Sequence, residues 1–242
     1  MSKKQFLTPE LILEDLSGKL RERGFLDVLP RLETAKALLP IMSKEQYDRP
    51  AKDVLAGTIA TVIGMKCICR NPSAVIMVCE PEEMKKNTAD LEIVLNALEE
   101  LGYLPRTELA VRWPANHYLC LKRLDNARSN GHCFPASLQS RLTVLNLSHK
   151  TRDMICVKTC AKSCRYYSQC RFQSLRQKMR DGEIPFQIYS VQDYRNALRE
   201  NQLPKCRMVV FEPRLGRLTA AVLNPTLQLR DQVNIILHSV RY

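Results

Sequence analysis

Ala74-Val75-Ile76-Met77-Val78-Cys79 is an unbroken run of six apolar residues. It is far too short to span a membrane, and it lacks the alternation of a strand with one wet face. It reads as a strand buried on both faces, the kind found inside a parallel sheet. Immediately downstream the period changes. From Pro81 to Leu101, residues Leu91, Val94, Leu95, Leu98 and Leu101 share one helical face, and Gly102 is the stop. Leu109–Arg112, Leu142–Leu147, Phe186–Tyr189 and Met208–Phe211 are further strand candidates. Ser190 is placed to cap a helix from Val191 to about Glu200.

The flanks carry more helical signals. Thr8-Pro9-Glu10 opens a helix whose stripe is Ile12, Leu13, Leu16 and Leu20, with Gly24 as its end. A second, short helix is expected over Leu32–Leu39. Ser43 with Gln46 reads as a capping box, and Asp53 as the cap of an apolar helix from Val54 to Met65. Asn224-Pro225 opens a last helix with the stripe Leu229, Val233, Ile236, Leu237 and Val240. The polar stretch Asn126–Ser140 reads as loop. Strands alternating with helices predict an α/β fold on a mostly parallel sheet flanked by helices.

Composition narrows the class. The 242 residues are 45% hydrophobic and 26% charged, a balance that excludes disorder as the main state. No apolar run approaches the roughly 18 residues of a membrane span, and no export signal is visible. A cytoplasmic protein without membrane contact is therefore expected. Lys and Arg number 37 against 25 Asp and Glu, giving a net charge of +12. Such an excess suits a polyanionic partner, above all nucleic acid. The charge is concentrated: Lys150 to Arg180 holds nine basic residues and one acid, Asp153. A solvated basic face is the competing reading.

Ten cysteines in a reducing compartment point to metal ligation rather than a disulfide framework. Four fall within 15 residues, as Cys156-x3-Cys160-x3-Cys164-x5-Cys170. Zinc ribbons use tight C-x-x-C turns, which this chain lacks. The wider spacing suits a four-iron cluster, with zinc as the alternative and plain buried thiols as the structural one. Cys67 and Cys69 read as buried thiols, His132 with Cys133 as a weaker ligand pair, and Trp113 as a packing residue. In the same stretch Arg165, Tyr166, Tyr167, Arg171 and Phe172 interleave cations with aromatics, a combination that tracks phosphates and stacks bases. Lys158, Lys162 and Arg165 are the candidate phosphate contacts. The competing reading packs Tyr166 and Phe172 inside the segment itself.

Asn116-His117-Tyr118-Leu119-Cys120-Leu121-Lys122-Arg123-Leu124 resembles the N-Y-L-C-x-x-R-L segment of the DinG branch of iron–sulfur helicases, relatives of XPD. Cys160 to Phe172 matches the later cysteine segment of that family, and Ile184–Tyr194 and Leu203–Phe211 stand where its further strands lie. The resemblance implies a RecA-like first motor lobe with a small cysteine-rich insertion. It implies a 4Fe-4S cluster on Cys120, Cys160, Cys164 and Cys170, and single-stranded nucleic acid lying against it. Cys156 is an alternate fourth ligand. His117 is not a ligand in that family and is expected to be structural. The implied division is 1–119 for the first part of the lobe, 120–180 for the cysteine-rich segment and 181–242 for the rest of the lobe.

The departures bear on activity. A P-loop ends in Gly-Lys-Ser/Thr, which hold phosphate and magnesium. Here Ala56 to Gly64 lacks that ending, and Lys66 is displaced. Glu212-Pro213-Arg214-Leu215 stands at the DEAH position, so the magnesium-binding Asp is Glu and the water-orienting Glu is Pro. The expectation is no ATP turnover and therefore no enzyme, but a nucleic-acid-binding protein. The alternative is a metal-containing interaction subunit of a larger nucleoprotein assembly with other protein subunits, for example an RNA-guided type IV CRISPR complex, since DinG-like proteins accompany some of those systems.

Overall fold

The computed structural model of the chain describes residues 8–42, 48–49, 58–59, 74–158, 163–204, 206–211 and 233–237. In chain order the helices are α1 (Pro9–Glu22), α2 (Leu29–Met42), α3 (Pro81–Glu100), α4 (Leu121–Ser129), α5 (His149–Ile155), α6 (Arg171–Arg180) and α7 (Val191–Arg199). The strands are β1 (Asp48–Arg49), β2 (Ala74–Cys79), β3 (Leu109–Arg112), β4 (Phe186–Ser190), β5 (Cys206–Phe211) and β6 (Val233–Leu237).

All six residues of β2 are buried, as a central parallel strand requires. The sheet order is β1-β6-β5-β2-β4-β3, and every neighbouring pair is parallel. Val75 sits between Phe186 of β4 and Met208 of β5. The period-two geometry of β2 divides the core. Val75, Met77 and Cys79 join one cluster with Met84, Leu91, Val94, Leu95 and Leu98 of α3 and the stripes of α1 and α2. Ala74, Ile76 and Val78 join another with Val191, Tyr194 and Ala197 of α7. Fully burying side chains such as Ile76 and Val78 contributes about 1.5–3 kcal/mol each.

The two faces follow from the connections. β2–α3–β3 and β4–α7–β5 run in opposite directions across the sheet, so right-handed crossovers put their helices on opposite sides. The carboxyl ends of β2 and β5 flank the point where direction reverses, the usual ligand crevice of an open α/β sheet. Among the described residues no helix is long and apolar enough to cross a membrane.

Local signals behave as expected where the chain has no competing partner. Thr8 accepts from the Leu11 N–H at 3.3 Å, and Ser190 accepts from the Asp193 N–H at 3.2 Å. Gly102 ends α3 at a φ of 75°, a left-handed conformation that costs glycine nothing.

Other expectations need correction. α2 is longer than Leu32–Leu39. Leu142–Leu147 is not a strand: Tyr118 and Thr143 form one isolated bridge, and Leu147 turns back onto the Val144 carbonyl at 3.2 Å. Asn126–Ser140 is not all loop, because α4 reaches Ser129 and Ala136–Ser140 is a 3-10 turn. Val233–Leu237, read as part of a last helix, is strand β6 beside β5. Its Val-x-Ile-Ile-Leu run satisfies both periods at this length, and pairing with the open edge of β5 selects the extended form. Ser43, Gln46, Asp53, Cys67, Cys69, Lys66 and 212–215 lie outside the described residues.

Candidate functional site

Between β3 and β4 the chain leaves the sheet for residues 113–185 and builds two small clusters, while Met179 and Ile184 return to the core beside β2. The organising feature is a short crossing of two extended segments. Leu119 faces Cys156 in an antiparallel bridge, flanked by Cys120 N–H on the Ile155 carbonyl and Val157 N–H on the Tyr118 carbonyl, both 2.9 Å. Successive side chains in extended backbone point to opposite sides. Leu119 and Cys156 therefore face Leu124, Ala127, Leu138 and Val144. Tyr118 and Val157 face Phe172, and Cys120 and Cys170 pack against that second group.

This sorts the cysteines. Cys120 is the N-cap of α4 and Cys170 the N-cap of α6, and neither thiol makes a capping hydrogen bond. Cys164 is half-buried. Cys156 belongs to the other side of the bridge and is only 1% exposed. Burial pushes its thiol up to about 11, against the pull of Arg152 and Arg123. It packs as a core thiol of the Leu119 cluster, on the side of the bridge away from Cys120, the ligand it was expected to replace. Cys160 lies outside the described residues, as does Lys162. Among the described residues no three His, Cys, Asp or Glu side chains come together to hold a metal ion. Of the described thiols, Cys120 and Cys170 pack against the same cluster, and the described residues alone do not complete a metal site.

The aromatic candidates separate in the same way. Phe172, expected on a nucleic-acid face, is 3% exposed, with its ring 4.7 Å from that of Tyr118 and the Arg176 guanidinium over it at 5.4 Å. It is interior, because the first turn of α6 docks on the Tyr118 side of the bridge. Tyr166 donates its hydroxyl to Asp125, and that bond holds its phenol above the ordinary value. The Arg165 guanidinium lies over the Tyr166 ring at 4.8 Å. Tyr167 is 37% exposed and is the aromatic that remains open. Trp113 is half-buried between the core and the Tyr118 cluster, edge-on to His117 at 6.1 Å. Burial and the neighbouring Arg152 push the His117 imidazole below its ordinary value. His132 and Cys133 are exposed.

Charge distinguishes this segment from the rest of the surface. Residues 120–180 contain thirteen Lys and Arg against two acids, Asp125 and Asp153. Arg165 has a long contact to Asp125 at 3.9 Å and remains 69% exposed. Lys122, Arg141, Lys150, Lys158, Arg171 and Lys178 are exposed and make no ion pair among the described residues. Elsewhere Lys19 and Arg23 pair with Glu100 at 3.7 and 2.7 Å and Arg31 with Asp90, while Arg21, Lys36, Lys85, Lys86, Arg106 and Arg199 are exposed without an ion pair among the described residues, so it is the local ratio of cations to acids that sets 120–180 apart. Lys122 and Arg141 were missed by reading only 150–180; counting charge across all of 120–180 finds them.

No protein-family model matches the chain, and no curated protein matches it.

Proposed function

We propose that this chain is a non-hydrolysing nucleic-acid-binding protein, a degenerate RecA-like lobe of the DinG/XPD type that grips a phosphate backbone with its cysteine-rich segment. The observation that carries the reading is the set of exposed cations in 120–180 without acidic partners. Unmatched surface charge costs self-repulsion, and a polyanion relieves it. Lys158 and Arg171 belong to this set, Arg165 adds an exposed cation whose one acidic contact is the long one to Asp125, and Tyr167 is the base-stacking aromatic. Cys120, Cys160, Cys164 and Cys170 would hold a 4Fe-4S cluster, or zinc, whose contribution is a cross-link between the starts of α4 and α6. The altered P-loop and the Glu212-Pro213 pair supply the argument against ATP turnover.

The test is binding of a fluorescein-labelled 20-mer of deoxythymidine across a salt series. If the six unpaired cations each neutralise a phosphate, log affinity falls with log salt at a slope of about −4, since each contact on a single strand contributes about −0.7. Between 50 and 200 mM salt that is a loss of about 300-fold. Replacing Lys158 and Arg171 by Gln lowers the slope by about 1.4. Binding indifferent to salt overturns the reading. DNA-stimulated ATP hydrolysis lost in Glu212→Ala overturns its non-hydrolysing part, and protein purified without air that holds neither iron nor zinc overturns its metal part.

The second reading, an interaction subunit of a nucleoprotein assembly, draws on β3. This strand is outermost in the sheet among the described residues, and a cleft of about 450 Å³ runs beside it, lined by Leu109, Val111, Leu142 and Leu175. The Tyr118 hydroxyl already takes the Val111 carbonyl and the Trp113 N–H at this edge, so a partner chain would dock by apolar side chains in the cleft rather than by adding a strand. Nucleic-acid binding that requires a partner chain favours this reading over the first.

A further inference from the structure

A smaller cleft lies on the charged segment itself, between the Ala136–Ser140 turn and the start of α6. Its volume is about 190 Å³. Drug-sized pockets begin at roughly 300 Å³, so this one has room for a single planar ring system and not for a whole nucleotide triphosphate. Leu119, Leu121 and Leu142 give it an apolar lining, Cys170 of the proposed ligand set borders it, and Arg141, Arg171, Gln139 and Gln169 supply polar groups. The Arg171 guanidinium donates to the Ser140 carbonyl, which ties the two walls together. Arg141 is exposed and has no ion-pair partner among the described residues. Gln139 spends its amide oxygen on Arg128 at 3.2 Å, leaving its NH₂ available. The Gln169 amide has no partner among the described residues.

We infer that this cleft takes one unpaired nucleobase from the strand held by the surrounding cations, an inference that rests on the nucleic-acid reading above. The chemistry favours a base over a free phosphate. A phosphate is strongly hydrated and gains nothing from a leucine floor, whereas the faces of a base are apolar. A carboxamide sets a donor beside an acceptor, and the pairing edge of each base presents a neighbouring acceptor and donor. Gln169 thus matches a base edge without selecting its identity. Arg141 and Arg171, at the cleft, meet the phosphates on either side. A double helix cannot use the cleft, since its bases are stacked and paired; single strands can.

The experiment compares two 12-mers of equal charge, oligodeoxythymidine and the same backbone carrying abasic sites throughout, by fluorescence anisotropy at fixed salt. The intact strand is expected to bind about tenfold tighter than the abasic one, and Gln169→Ala, a surface change, to cut that ratio to about threefold or less. The salt slope stays the same in both proteins, because no phosphate contact is lost. Tyr167→Ala is the control: it lowers the base-dependent part through stacking while Gln169→Ala still lowers it further. If both strands bind with the steep salt slope but Gln169→Ala leaves their ratio unchanged, the cleft is not a base site and the nucleic-acid reading stands. If neither strand binds, the nucleic-acid reading fails and the base site fails with it.

Discussion

Replacing Tyr118 by Phe removes one oxygen atom from the joint between the sheet and the charged segment. Tyr118 is fully buried. Its hydroxyl donates to the Val111 carbonyl and accepts from the Trp113 N–H, both at 2.9 Å. These backbone groups belong to the end of β3, the outer strand, where no further strand is present among the described residues to satisfy them. Burial also pushes the phenol far above its ordinary value, so it remains a neutral donor at any working pH. Phenylalanine keeps the ring and its contact with Phe172. What is lost is two hydrogen bonds of about 1 kcal/mol net each, together with part of the cost of leaving a carbonyl and an N–H without partners. The expected destabilisation is therefore about 2–3 kcal/mol. Urea unfolding followed by the fluorescence of Trp113, the only tryptophan, reads it directly beside the change. The slope with urea should match that of the parent protein while the midpoint falls. Tyr167→Phe, at an exposed ring, should leave the midpoint in place. A Tyr118→Phe loss below about 0.5 kcal/mol would refute the claim that this hydroxyl closes the β3 edge.

Three further outcomes are expected. Gly102→Ala should cost about 1–2 kcal/mol in the same assay; nothing lies within 4 Å of an added Cβ, so the whole cost is the φ of +75°. Ser190→Ala should cost about 1–2 kcal/mol, because it removes the cap of α7 and the 2.8 Å hydrogen bond from Ser190 to the buried Asp193 carboxylate. The Cys156 thiol is held at about 11 in the folded chain against an ordinary 9.0, so the folded state retains a proton that the unfolded chain releases. Stability should thus be unaffected by this group below pH 9 and decline from pH 9 towards 11, by at most about 1.4 kcal/mol per pH unit. Cys156→Ala should flatten the decline between pH 9 and 10, and iodoacetamide at pH 8 should label the exposed Cys133 and spare Cys156, read by mass spectrometry.

The elements that were legible in sequence are those with redundant signals. β2 has no polar residue, α3 combines a proline start, a five-residue stripe and a glycine stop, and α7 has its serine cap. The elements that misled had one signal each. Val233–Leu237 carried helical spacing and strand composition at once, and the neighbouring strand decided between them. Leu142–Leu147 had strand composition without a partner long enough to pair with it. In the candidate site, cysteine density and basic charge were visible as counts. Which thiols share a side was not, because it depends on the crossing of 118–120 with 155–157, more than thirty residues apart in the chain.

Phe172 and Tyr167 show the same division. Both are aromatics beside arginines, and composition offers no reason to treat them differently. Docking of α6 on Tyr118 buries one and leaves the other open. By itself the sequence determined the parallel α/β core, the starts and stops of α1, α3 and α7, and the location of the excess positive charge. Each of these depends on residues within one or two turns of one another, where spacing and chain geometry act directly. Only the tertiary structure decided that Cys156 is a core thiol, that Cys120 and Cys170 head two helices on one cluster, and which cations lack acids. Those properties belong to pairs of distant segments, and a side chain's burial and electrostatic surroundings are set by what folds against it.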